Sequence, residues 1–126
     1  MGQLEANIWT HFLEKHGPEY SDYEYDVRLQ KPIKLPADME PEYKADALAL
    51  SALRVDVKAE DKKQIYLFEV RPNAAQSAIG QLIMYRYCYI LQFNPKKPVR
   101  MMLVTDTYKP EIELTARSVE IGYFVF

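Results

Sequence analysis

The sequence predicts an α/β sandwich built around a mixed central sheet. Residues 53–58 and 65–71 alternate in the strand manner on either side of the short charged segment Ala59-Glu60-Asp61-Lys62-Lys63-Gln64, which is the pattern of an antiparallel hairpin. Val99–Val104 and Ile121–Phe126 are apolar on both faces and are separated by a helix-forming stretch, the pattern of a parallel βαβ crossover in a covered sheet. Helical spacing of apolar residues at Leu4, Ile8 and Phe12, and an apolar run after Pro72, supply the helices that cover it.

Taken in order, Leu4, Ile8 and Phe12 with Trp9 and Leu13 predict a helix over residues 3–16 that stops before Gly17-Pro18. Tyr23–Leu29 alternates and reads as the first strand. Residues 30–44, with Pro32, Pro36 and Pro41, form a long connection, and the helix propensity of Ala45–Ala52 predicts a short helix. The hairpin follows. Pro72, lacking an amide donor, ends its second strand, and Asn73 with Gln76 reads as an N-cap and its capping partner for a helix over 74–93. Asn94-Pro95 breaks that helix, Val99–Val104 is a strand, Pro110–Ser118 a helix, and Ile121–Phe126 the last strand. No internal repeat or low-complexity tract interrupts this order.

With 126 residues, 48% of them hydrophobic and 27% charged, the chain reads as one globular domain over residues 1–126. A net charge of −2 argues against a protein that coats nucleic acid indiscriminately but permits a local basic patch. The lone Cys88 sits in the apolar run of the long helix and reads as a small core residue. Ile79–Leu91 is too short for a membrane span and is interrupted by Gln81 and Arg86, so the expectation is a soluble, intracellular, cytoplasmic protein with no membrane contact.

Two acids stand in otherwise apolar strands: Asp56 in Leu53-Arg54-Val55-Asp56-Val57 and Glu69 in Tyr66-Leu67-Phe68-Glu69-Val70-Arg71. A turn centred on Lys62-Lys63 places Asp56 opposite Glu69 and Arg54 opposite Arg71 on one face, and opposed residues have Cβ atoms about 4.5–5.5 Å apart, where like charges repel. A positive charge between them resolves the conflict. It is either a hard cation such as Mg2+, which binds one or two carboxylates, or a salt-bridge ladder in which Arg71 neutralises Asp56 and Arg54 neutralises Glu69 diagonally. On the following helix Gln81 and Tyr85 are four residues apart and share a face.

The ordered set Asp56, Glu69-Val70-Arg71 and Gln81-x-x-x-Tyr85 resembles the PD-(D/E)XK nuclease superfamily, in particular the recombination-nuclease branch with a Gln-x-x-x-Tyr motif after its catalytic hairpin. The resemblance implies a restriction-endonuclease-like α/β/α sandwich. It also implies Mg2+- or Mn2+-dependent hydrolysis of DNA phosphodiester bonds, with Asp56, Glu69 and the Val70 carbonyl on the metal and Gln81 and Tyr85 bracing them or orienting phosphate. The family often adds an acid from the first helix, for which Glu5 is the first candidate and Glu14 the second. One position departs: the family lysine is Arg71, a planar, permanently charged fork rather than a compact tunable amine. Either Arg71 stabilises phosphorane charge in its place or catalysis has been lost, leaving a nucleic-acid-binding or protein-interaction module.

Other residues carry weaker expectations. Gly80 would let the long helix approach the sheet, and Arg86 would reach a phosphate or a buried acid. Lys58, Lys62, Lys63, Lys31, Lys34, Lys96, Lys97 and Arg100 are the basic groups available to track a phosphate backbone, or else solvated loop charges. Tyr20, Tyr23 and Tyr25 suit either stacking on unpaired bases or packing. His11 and His16 lack companions at metal-ligand spacing and read as surface residues. The apolar final strand suggests an uncovered edge and hence a homodimer, with DNA, branched or single-stranded forms included, as the expected partner.

Overall fold

The computed structural model describes residues 1–30, 37–44 and 52–126. The helix expected over Ala45–Ala52 falls outside the described residues except for Ala52, which opens a strand, and Lys31 and Lys34 also fall outside them. The elements are α1 (Gln3–His16), a 3-10 turn (Gly17–Glu19), β1 (Ser21–Gln30), β2 (Ala52–Glu60), β3 (Ile65–Val70), α2 (Gln76–Phe93), β4 (Val99–Thr105), α3 (Pro110–Ser118) and β5 (Ile121–Val125). The strands lie side by side in chain order, β1-β2-β3 antiparallel and β3-β4-β5 parallel.

Both parallel pairs are closed by a helix, and crossovers of one hand put those helices on one face of the sheet. Accordingly, Ala78, Leu82 and Cys88 of α2 and Ile112 and Ala116 of α3 share a core with Leu67, Leu103 and Ile121. On the other face Ile8, Trp9 and Phe12 of α1 pack on Val57, Phe68, Met102 and Val104. The result is an α/β/α sandwich on a mixed sheet. The central strands β3 and β4 are buried on both sides, which is why 99–104 reads as a nearly unbroken apolar run. Phe12 is the hub of the α1 side, fully buried, its ring 4.9 Å from Trp9, 5.3 Å from Phe68 and 5.4 Å from Phe124.

The hairpin turn is held by Asp61. Its carboxylate accepts the amides of Lys63 (2.8 Å) and Gln64 (2.7 Å), an Asx-type closure that sets the register Glu60↔Ile65 through Val57↔Phe68.

Three local expectations are corrected. Asn73 is not the N-cap: α2 begins at Gln76 after Ala75, with no side-chain cap, and Asn73 instead adopts φ 49° in a turn whose amide donates to Asp106 at 2.8 Å. Pro72 follows the end of β3 as expected and enters a turn tied to the end of β4. Gly80 does not bring α2 onto the sheet, since it is exposed and an added Cβ would meet nothing within 4 Å. The final strand does lie at an edge of the sheet, but its apolar side chains are covered: Ile121 and Tyr123 lie in the α2–α3 core, Phe124 and Phe126 against the α1 cluster, and only Val125 is exposed. Among the described residues no helix is long and apolar enough to cross a membrane.

Candidate active site

The hairpin register, continued one step past Val57↔Phe68, sets Asp56 level with Glu69. The ladder itself ends before that step. Val57 packs with the α1-side cluster and Val55 with the opposite one, so β2 turns about its own axis at Asp56 and parts from β3. The Asp56 carboxylate fills the gap, accepting the Val70 amide at 2.8 Å where a β2 carbonyl would otherwise stand. A buried strand amide needs such a partner, and here an acid provides it.

Glu69 is 3% exposed. Burial, a side-chain hydrogen bond with Asp56 and the Asp56 charge push its carboxyl up to about 8, with Glu5 adding to the rise and Arg71 opposing it. A buried carboxyl beside a second carboxylate ionises only at a cost, so Glu69 keeps its proton to a higher pH than an ordinary glutamate. Arg71 donates to Glu69 Oε2 at 3.0 Å, to Ser77 Oγ at 3.0 Å, and to Gln81 Oε1. Tyr85 is buried beside them, its hydroxyl held above its ordinary pKa by burial and then by the charges of Glu69 and Asp56.

The structure thus gathers Asp56, Glu69, Val70, Arg71, Gln81 and Tyr85 at the end of β3. Glu5, half-buried near the start of α1, is close enough for its charge to act on Glu69, whereas Glu14 is exposed more than two turns further along. Ser77 escaped the sequence reading, although Ser77, Gln81 and Tyr85 recur every four residues and so line one face of α2.

The donor set suits an open divalent site. Asp56 and Glu69 supply two carboxylates and Val70 a carbonyl on the strand edge where β2 parts; Mg2+ ordinarily takes one or two carboxylates and completes its shell with water and substrate oxygen. Among the described residues no three His, Cys, Asp or Glu side chains form a group that could hold a metal ion without such help.

Several expectations elsewhere are corrected. The diagonal ladder is absent: Arg71 pairs with Glu69, its neighbour two residues back, and Arg54 meets no acid among the described residues. Arg86 pairs with no acid among the described residues and donates to the Val99 carbonyl at 2.9 Å. Lys58 is not a turn lysine; it is buried in β2 and paired with Glu60 at 3.0 Å and Glu24 at 3.7 Å. Lys97 is tied to Glu60 and the Asp61 carbonyl, while Lys62, Lys63 and Lys96 are exposed. Of the two alternatives for the tyrosines near β1, Tyr20 and Tyr23 pack, Tyr20 edge-on to Tyr66 and Tyr23 donating to the Gly17 carbonyl, while Tyr25, which accepts from Trp9, is 48% exposed. His11 is exposed, but His16 is half-buried among Phe12, Phe124 and Phe126.

No protein-family model matches the chain, and no curated protein is similar to it in sequence. Among solved structures it is similar to the crystal structure of a protein of unknown function, AF1548, at 18% identity and a TM-score of 0.56. The likeness covers 97% of this chain and 57% of that protein, so the chain spans a little over half of its structural relative. At this identity the likeness concerns the fold.

Proposed function

We propose that the chain is a nuclease of PD-(D/E)XK type that hydrolyses DNA phosphodiester bonds with Mg2+ or Mn2+, acting in the cytoplasm. The observation that carries this reading is the placement of the buried Glu69 carboxyl beside the half-buried carboxylate of Asp56. Asp56, Glu69 and the Val70 carbonyl would hold the ion, which when bound supplies Lewis-acid stabilisation and lowers the pKa of its water. Arg71, fixed by Glu69, Ser77 and Gln81, directs a permanent positive charge at the place where a phosphate would gather negative charge. Gln81 holds the guanidinium and Tyr85 closes the floor of the site against water. Glu5 adds a third negative charge from the opposite layer.

A second reading has its own observation. Arg71 already donates to Glu69 Oε2 at 3.0 Å, standing where a cation would have to enter, which suits a catalytically silent nuclease fold serving as a nucleic-acid-binding or protein-interaction module. Incubation of the protein with labelled single-stranded, duplex and branched DNA in Mg2+ and in Mn2+ separates the two. The nuclease reading expects metal-dependent cleavage that Asp56→Ala abolishes. Intact DNA under every condition leaves the silent fold.

A further inference from the structure

α2 has one charged side chain, Arg86, in eighteen residues, and it is apolar on both faces. Its inner face, including Ala78, Leu82, Tyr85 and Tyr89, packs on the sheet. Its outer face leaves Ile83 45%, Met84 43%, Tyr87 56% and Leu91 56% exposed. A helix apolar all round is normally buried, and a contiguous apolar patch of this extent marks an interaction surface. With large side chains offering about 200 Å² each, four of them half-exposed offer roughly 400 Å². A standard interface takes about 800 Å² from each partner, a little over half of it apolar, so this one helix supplies most of the apolar share.

The spacing identifies the occupant. Gly80, Met84, Tyr87 and Leu91 are separated by four, three and four residues, the seam spacing of paired helices. A second α2 laid antiparallel, with the two-fold axis level with the middle of the helix, sets Gly80 against Leu91 and Met84 against Tyr87. Gly80 has open space where its Cβ would be, a hole for the Leu91 knob. The same stripe is therefore its own complement, as a two-fold interface requires. Arg86 lies off the stripe, held by the Val99 carbonyl, so no charge enters the seam. We propose that the outer face of α2 is the seam of a symmetric antiparallel homodimer of this chain, independently of what the acid pair does.

Light scattering on the full chain tests this. At about 100 μM the wild type is expected at twice the 14.8 kDa of one chain, and Leu91→Glu at the mass of one. Gly80→Leu is the second variant: it raises helix propensity and meets open space in one copy, yet fills the hole, so it should be monomeric with an unchanged or higher Tm. Register is read by mild oxidation: Met84→Cys mixed with Tyr87→Cys, one of them size-tagged, should give the hybrid cross-link. A wild-type monomer, meaning that some other partner covers the face, overturns the proposal. So does a Gly80→Leu or Leu91→Glu dimer, or cross-linking of Met84→Cys to itself in place of the hybrid.

Discussion

The carboxyl of Glu69 is hydrogen-bonded to that of Asp56, and burial together with that contact raises Glu69 to about 8. The folded state therefore keeps a proton that the unfolded chain releases at the ordinary carboxylate value. Between those two values the folded protein binds more protons, so this group's contribution to stability falls as pH rises. Glu69→Gln, neutral at every pH, should be more stable than wild type at pH 8 and close to it at pH 5. At roughly 4 °C per kcal/mol, the difference is visible in thermal unfolding curves. An offset that is the same at both pH values would refute the shared proton.

Asp56 does two things that substitution can separate. Asp56→Asn retains an oxygen for the Val70 amide and removes the charge; Asp56→Ala orphans the amide, at a cost of about 1–3 kcal/mol. Denaturant titration should show the alanine variant losing stability and the asparagine variant keeping most of it. Calorimetry should show both losing Mn2+ affinity. Unchanged affinity in either would remove Asp56 from the metal site.

An ion entering the pair must displace the proton on Glu69. Mn2+ binding at pH 7 is expected to release close to one proton per site, and affinity should rise with pH until about 8 and then level off. Calorimetry in two buffers of different ionisation enthalpy measures that proton directly. Binding with no buffer dependence would place the ion elsewhere.

Arg71 decides between the two functional readings. In an active site Arg71→Ala should lower the cleavage rate by about 10²- to 10³-fold, as loss of a preorganised electrostatic donor does. Lysine at this position restores the residue of the resembled family and frees Glu69 from a bidentate-capable fork. Arg71→Lys should then change an existing rate, or create one where the wild type has none. No cleavage by either form counts against an enzyme.

Phe12 is fully buried between α1, β3 and β5, and Phe12→Ala should cost about 3–5 kcal/mol. The loss would appear in chemical denaturation as a lower midpoint with an unchanged slope.

The sequence made α1, the hairpin and the βαβ unit legible because each rests on a pattern: Leu4, Ile8 and Phe12 in a helix, alternation in 53–58 and 65–71, runs apolar on both faces at 99–104 and 121–126. The opposition of Asp56 and Glu69 was legible for the same reason, since a short turn fixes register. What escaped depends on where strands separate or side chains meet backbone. The Val70 amide bond to Asp56 requires β2 to part from β3, which no local pattern encodes. Arg86 ends on a carbonyl of β4, and a carbonyl has no sequence signature. Lys58 was read as a turn residue because its burial follows from β2 extending to Glu60. Asn73 mimics an N-cap, but its amide is claimed by Asp106, thirty-three residues away.

Trp9 is the chain's single tryptophan, buried one turn from Glu5, its indole N–H on the Tyr25 hydroxyl and its ring edge-on to Phe68, the residue before Glu69. The protein therefore carries its own optical probe. Emission from that indole is set by how closely α1 lies on β3, so a change of charge or occupancy between Asp56 and Glu69 that shifts the first turns of α1 registers as a change in fluorescence without any label attached.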